Sequence, residues 1–355
     1  MKPTLQRALC RAGSAQIYPQ RITVPEFCVL IEAMKLRAGL CPGLGLLLLS
    51  MLSAFGWLLP DLFPHTGVNA VSLPLGQAIL FSAFAAMTAS IAMVRRLRFP
   101  GGQRAWVCAS LGVGFFVIPT STVAFARNSV SNFEAVGVLC LTPIFAVVLE
   151  PYLQDCPPRK GKAALAGALV AIAGILSLVP LETPRSFRAG VALFVLLMTA
   201  FELAATNCVA VRLAVTAPGG STLPMAALAG GATAICFTVI AAISRSSAWP
   251  SSALQGYLLK LFLVDLPGLF LLFWLMSRLA ASRMTARFLL TPMFVVFAGL
   301  ALVQTLPPIR ALVGVLLLAG GSGWLVFAPG ESGDEELISL KAAIVESSVQ
   351  LSRKN

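Results

Sequence analysis

Hydrophobic positions fall in long unbroken runs, separated by short segments that carry charge, proline or glycine. Runs of about 20 apolar residues have the length of a membrane-spanning helix, and reading them between breaks predicts ten spans. The first five lie near 42 to 60, 73 to 94, 105 to 126, 132 to 154 and 163 to 180. The second five lie near 189 to 213, 221 to 243, 254 to 277, 284 to 306 and 310 to 328. The expected fold is therefore all-α, a polytopic integral membrane protein of ten transmembrane helices.

Outside the spans the pattern changes. Residues 1–41 form a basic arm in which Thr23 and Glu26 have capping-box spacing and Phe27, Leu30, Ile31 and Met34 share one helical face. An amphipathic helix lying on the membrane is expected there, and an organellar transit peptide is the other reading of the arm. Residues 329–355 bring Glu331, Asp334, Glu335 and Glu336 ahead of Leu337, Leu340 and Ile344, which predicts a short amphipathic tail helix with Ser332 and Glu335 as a second capping box.

Charge then sets an orientation. With the N-terminus in the cytoplasm, sixteen Lys and Arg fall on the arm and inner loops, against Arg127, Arg185, Arg188, Arg245 and Arg310 outside. This satisfies the positive-inside rule and returns the C-terminus to the cytoplasm, in a cell or inner membrane. Of the 355 residues, 58% are hydrophobic and 11% charged, which excludes a water-solvated domain and makes the lipid bilayer the first partner. The net charge of +12 resides in inter-span segments, so no nucleic-acid partner is expected.

The chain also repeats. Leu141-Thr142-Pro143-Ile144-Phe145 returns as Leu290-Thr291-Pro292-Met293-Phe294, 149 residues later, and Gly174, Leu176 and Pro180 align with Gly323, Leu325 and Pro329. Ser53-Ala54-Phe55-Gly56 faces Thr199-Ala200-Phe201-Glu202 at a spacing of 146. Two halves, 42–180 and 189–328, joined by a linker at 181–188, are expected. Five spans is an odd number, so the second half enters the membrane inverted relative to the first. Inverted halves that exchange conformations open a central site to alternate sides.

The ten-span pattern, the L-T-P-[IM]-F motif late in each half and the glycine-rich fifth and tenth spans resemble the drug/metabolite transporter superfamily, EamA type, over about residues 42–328. That resemblance implies a permease for a small-molecule solute, since members move amino acids, other metabolites, drugs or nucleotide sugars. The acid usual at the inner end of the fourth span is at best Asp155 here, and its counterpart in the ninth is Gln304.

Ionisable groups deep in a span are costly and mark functional candidates. Glu202 lies near the middle of the sixth span, with Thr199 and Thr206 on its face and Asn207 beside them; a structural hydrogen bond to a neighbouring helix is the plainer reading. Asp265 is central in the eighth span and precedes Leu266-Pro267-Gly268, while the third span carries Pro119 with Thr120, Ser121 and Thr122. Interrupted helices in corresponding places of two halves point to a solute site, although proline kinks also shape a bundle. Thr142 and Thr291, beside Pro143 and Pro292, are a second symmetric pair placed to satisfy freed carbonyls or contact solute. Glu202 and Asp265 are the carboxylates expected to couple transport to a proton or sodium ion. Glu150 is expected to reach the inner interface or a vestibule, and Arg287 and Lys260 to snorkel or bind an anion.

Eight cysteines without a C-x-x-C pair and one histidine, His65, offer neither a zinc site nor a disulfide framework, and no cofactor is expected. With no H-E-x-x-H or G-x-S-x-G, the chain reads as a non-enzyme. The competing classes are a passive channel and a helical scaffold, with a membrane-embedded enzyme behind both. Solute, coupling ion, direction and oligomeric state stay open at this level.

Overall fold

The computed structural model describes residues 42–59, 73–153, 161–178, 186–217, 221–244, 254–303 and 309–327. The arm, the tail, His65, Asp155 and Gln304 lie outside these residues. Every regular element among them is helical.

In chain order the helices are α1, Pro42–Leu59; α2, Leu73–Val94; α3, Gly102–Ala126; α4, Asn132–Leu153; α5, Gly161–Leu178; and α6, Phe187–Val215. They continue with α7, Leu223–Ile243; α8, the consecutive segments Leu254–Lys260, Leu261–Asp265 and Leu266–Met276; α9, Arg287–Val303; and α10, Ile309–Phe327. A single turn, Ala281–Thr285, precedes α9. Eight of these helices are long and apolar enough to cross a membrane; α5 and α9 are apolar but shorter among the described residues.

Exposure explains the solvent. Only 33% to 44% of each long span is buried inside protein. On α6 the outward stripe is Phe187, Val191, Phe194, Met198 and Phe201, spaced every three or four residues, with Phe187 90% exposed. Its inward stripe holds Thr199, Leu203, Thr206, Asn207 and Ala210, all buried. An apolar outside and a partly polar inside is the arrangement a bilayer selects, because lipid tails satisfy no polar group.

Small residues bring the helices together. On α5 and α10, a Cβ added at Gly174 would stand 2.5 Å from Leu318 N and 2.6 Å from the Gly314 carbonyl, and one at Gly321 would meet Ala171 N and the Gly167 carbonyl. This is backbone-to-backbone packing of the small-residue kind that membrane helices use in place of hydrophobic collapse. On α3, Gly112 performs the same role against the Ala229 carbonyl of α7. Larger side chains fill the space between α2, α3 and α7, where Phe81 meets Phe116 at 4.6 Å and stacks on Phe237 at 6.1 Å. Phe84 ties α2 to α8 through Phe270 and Phe273.

Capping chemistry fixes several ends. Ser131 and Glu134 form a capping box at the start of α4: Ser131 N–H donates to Glu134 Oε2 at 2.9 Å and Glu134 N–H to Ser131 Oγ at 3.2 Å. Glu150 does not point to an open vestibule. Its carboxylate accepts the Ala281 and Ser282 amides at 3.0 and 3.3 Å, capping the turn that leads into α9 and joining it to the end of α4. Two backbone bonds to one carboxylate are charge-assisted and worth about 1.5–3 kcal/mol each. Glu150→Ala is therefore expected to lower the unfolding free energy by about 2–4 kcal/mol, read as a fall in thermal midpoint, while Glu150→Gln, which keeps an acceptor, retains part of it.

Candidate functional site

The two prolines singled out in α3 and α8 have a shared local structure. Before Pro119, residues Val113–Val117 widen into a π-helical turn, and Ile118 N–H bonds to the Val113 carbonyl. Before Pro267, residues Leu261–Asp265 do the same, with Leu266 N–H bonded to the Leu261 carbonyl. Proline supplies the cause: it lacks an N–H and its ring collides with the carbonyl four residues back, so the preceding turn opens. The pairing leaves the Gly114 carbonyl without a backbone amide, because its α-helical donor, Ile118, is engaged and its π-helical donor would be Pro119. Phe262 stands in the same position before Pro267. Loosened backbone of this kind, buried in protein, can coordinate a solute or cation.

Glu202 lies against the first of these turns. A Cβ on Gly114 would collide with Glu202 Oε1 and stand 2.8 Å from Thr206 Oγ1, so glycine is what admits the carboxylate. Thr206 donates to Glu202 Oε1 at 2.6 Å. The other oxygen, Oε2, is buried and has no hydrogen-bond partner among the described residues. Asn207 is fully buried; its Nδ2 donates to the Leu203 carbonyl at 2.6 Å, and its Oδ1 is likewise unpartnered. Two orphaned buried acceptors on one helix are unusual in a native interior, where such groups cost about 1–3 kcal/mol each. They mark a place for a donor or a cation.

Asp265 lies in the second wide turn and faces α1. A Cβ on Gly56 would stand 3.8 Å from Asp265 Oδ1 and 3.9 Å from the Lys260 side chain. Nearby, the Tyr257 hydroxyl donates to the Gly76 carbonyl of α2. No hydrogen bond joins Glu202 to Asp265 among the described residues: the first acid belongs to an α3–α6 contact, the second to an α1–α8 contact.

The remaining candidates divide. Thr199 reaches α3, where its hydroxyl and that of Thr122 share a hydrogen bond of 3.1 Å, and it also lies 2.9 Å from the Val195 carbonyl. Thr122 is thus the member of the Thr120-Ser121-Thr122 run that turns inward; Thr120 and Pro119 are half-buried, and Pro267 is exposed. Thr142 satisfies the carbonyl that Pro143 frees, donating to Leu139 at 2.6 Å. Thr291 is half-buried. The carbonyl freed by Pro292, that of Phe288, accepts instead from the Cys140 thiol across the α4–α9 boundary at 3.1 Å. Thr142 thus takes the expected carbonyl-satisfying role, while at Pro292 the donor comes from another helix, which the sequence does not reveal.

Arg287 packs against aromatic rings. Its guanidinium lies 5.6 Å from the centroid of Phe115, in the wide turn of α3, and 4.9 Å from that of Phe288. Lys260 is half-buried beside Asp265.

These features define an all-helical, multi-pass membrane protein with polar groups gathered at two proline-interrupted helices. No protein-family model matches the chain, and no curated protein sequence matches it either. Fourteen chains of solved structures match it. One of them, described only as the crystal structure of a protein, aligns over 80% of this chain and 98% of its own length, with a TM-score of 0.59 and 19% identity.

Proposed function

We propose that the protein is a secondary active transporter of a small polar or amphipathic solute, built from ten spans in two inverted halves and working by alternating access, a permease of the drug/metabolite transporter type. The observation that carries this reading is the recurrence of the wide turn. Val113–Val117 with Pro119 and Leu261–Asp265 with Pro267 are 148 residues apart, matching the 149-residue sequence repeat. Two rare helical defects in register are what a duplicated bundle predicts.

Helix pairing adds support. If α5 corresponds to α10 and α2 to α7, each pair should cross at its own symmetry point. On α5 and α10 the facing glycines are Gly167 with Gly321 and Gly174 with Gly314, and the midpoints are 147 positions apart. On α2 and α7 the contacts Phe84 with Gly230 and Phe81 with Phe237 have midpoints 151 apart. Both values bracket the repeat. The carboxylates follow the same exchange: Glu202 of α6 rests on a glycine of α3, and Asp265 of α8 on a glycine of α1. Contacts between Gly43 and Phe327, Arg212 and Leu153, and Glu150 and Ala281 also gather ends that the charge pattern assigns to the cytoplasm.

Two near-equivalent halves around loosened backbone and orphaned acceptors give a carrier its two states, related by a two-fold rotation about an axis in the membrane plane. The test is counterflow. Purified protein in liposomes, challenged with metabolites first ranked by thermal stabilisation, is expected to exchange external for internal solute with saturation. Flux that is linear in concentration and shows no exchange would mean a channel.

A further inference from the structure

Arg287 is a cation deep in the bundle for which the described residues provide no anion. Its guanidinium lies over the faces of Phe115 and Phe288, and no hydrogen bond or ion pair to it is present among the described residues. Phe115 is near the midpoint of α3, so the charge stands beside the middle of that helix. The guanidinium carbon lies over both rings, and the group carries five N–H donors. Arg287 is half-buried, so its donors are accessible to an arriving acceptor.

We infer that Arg287 is the subsite for an oxyanion carried by the solute, a carboxylate or a phosphoryl group, held against the wide turn of α3 opposite Glu202. Three features fit together. Arg presents a planar fork that matches two oxyanion oxygens, and Phe115 and Phe288 lie against it. Gly114 and Phe115 are adjacent residues of one turn, so the negative group at Glu202 and the positive group at Arg287 flank the same piece of loosened backbone. No ion pair joins them, so neither charge neutralises the other, and an acceptor-bearing solute has a donor set to meet. This rests on the carrier reading in that it names the class of solute moved.

The experiment uses full-length protein in detergent, with thermal unfolding followed in inorganic phosphate, succinate and glutamate, and in glucose and choline, all at ionic strength matched with chloride. At least one oxyanion is expected to raise the midpoint beyond chloride, glucose and choline, and the phosphate and carboxylate arms separate the two sources. Arg287→Gln is expected to weaken that oxyanion's apparent affinity by about tenfold or more, and Arg287→Lys, which keeps the charge and loses the fork, by an intermediate factor. Should Arg287→Gln not fold, Arg287→Lys decides. Oxyanions no better than chloride, or an Arg287→Lys protein with wild-type affinity, would overturn the inference. The same oxyanion is then used in liposome exchange: binding without exchange removes the carrier reading and leaves the subsite, whereas exchange of an uncharged or cationic solute with Arg287→Gln unaffected removes the subsite and leaves the carrier.

Discussion

Alanine at Gly174 and Gly321 together is expected to separate α5 from α10 and to cost the protein much of its stability. Each added Cβ would press on backbone and not on a yielding side chain: Leu318 N and the Gly314 carbonyl at 174, Ala171 N and the Gly167 carbonyl at 321. Overpacking of this kind costs about 1–3 kcal/mol per site, and two sites take a large share of the ~5–15 kcal/mol that holds a folded protein. Gly320→Ala is the matched control. A Cβ there meets nothing within 4 Å, and alanine favours the helix by about 0.5–1 kcal/mol over glycine. The check is thermal unfolding in one detergent, with the double variant far below wild type and Gly320→Ala at or above it. Equal midpoints for the two would mean that the helices do not dock as described.

The second large effect is on transport. Glu202→Gln keeps an oxygen for Thr206 and removes the charge, and it is expected to end uptake driven by a pH gradient, a loss of about a hundredfold in rate. Asp265→Asn is expected to act in the same direction through the α1–α8 contact. Gly114→Ala tests position and not charge, because its Cβ would displace Glu202 Oε1 while leaving the carboxylate chemically intact. Uptake in liposomes should fall in all three with the folded fraction unchanged. Wild-type uptake in both Glu202→Gln and Gly114→Ala would remove Glu202 from the mechanism.

Much of this was legible in the chain. The apolar runs predict the helices to within a few residues because a span's length is fixed by the bilayer and not by tertiary context. Pro119 and Pro267 marked the wide turns, since a missing amide is a local property that no neighbour repairs. Glu202 and Thr206 were readable as partners from i, i+4 spacing. Partners supplied by other helices were not. Thr122 beside Thr199, the Cys140 thiol on the Phe288 carbonyl and Glu150 on the Ala281 amide each depend on how helices rotate against one another, which no short-range pattern states. The surroundings of Arg287 were hidden for the same reason: counted along its own helix it is close to an end, yet one of the aromatic rings beside it belongs to the middle of α3.

Exchange of conformation between the halves is measured most directly by paired distances on α1 and α6, the helices that the proposed repeat makes equivalent. One spin-label pair at Trp57 and Phe187 reports one membrane face, and a second pair at Leu44 and Val215 reports the other. In reconstituted protein a transported solute is expected to lengthen one distance while shortening the other. Both distances fixed, or both moving in the same sense, would contradict alternating access.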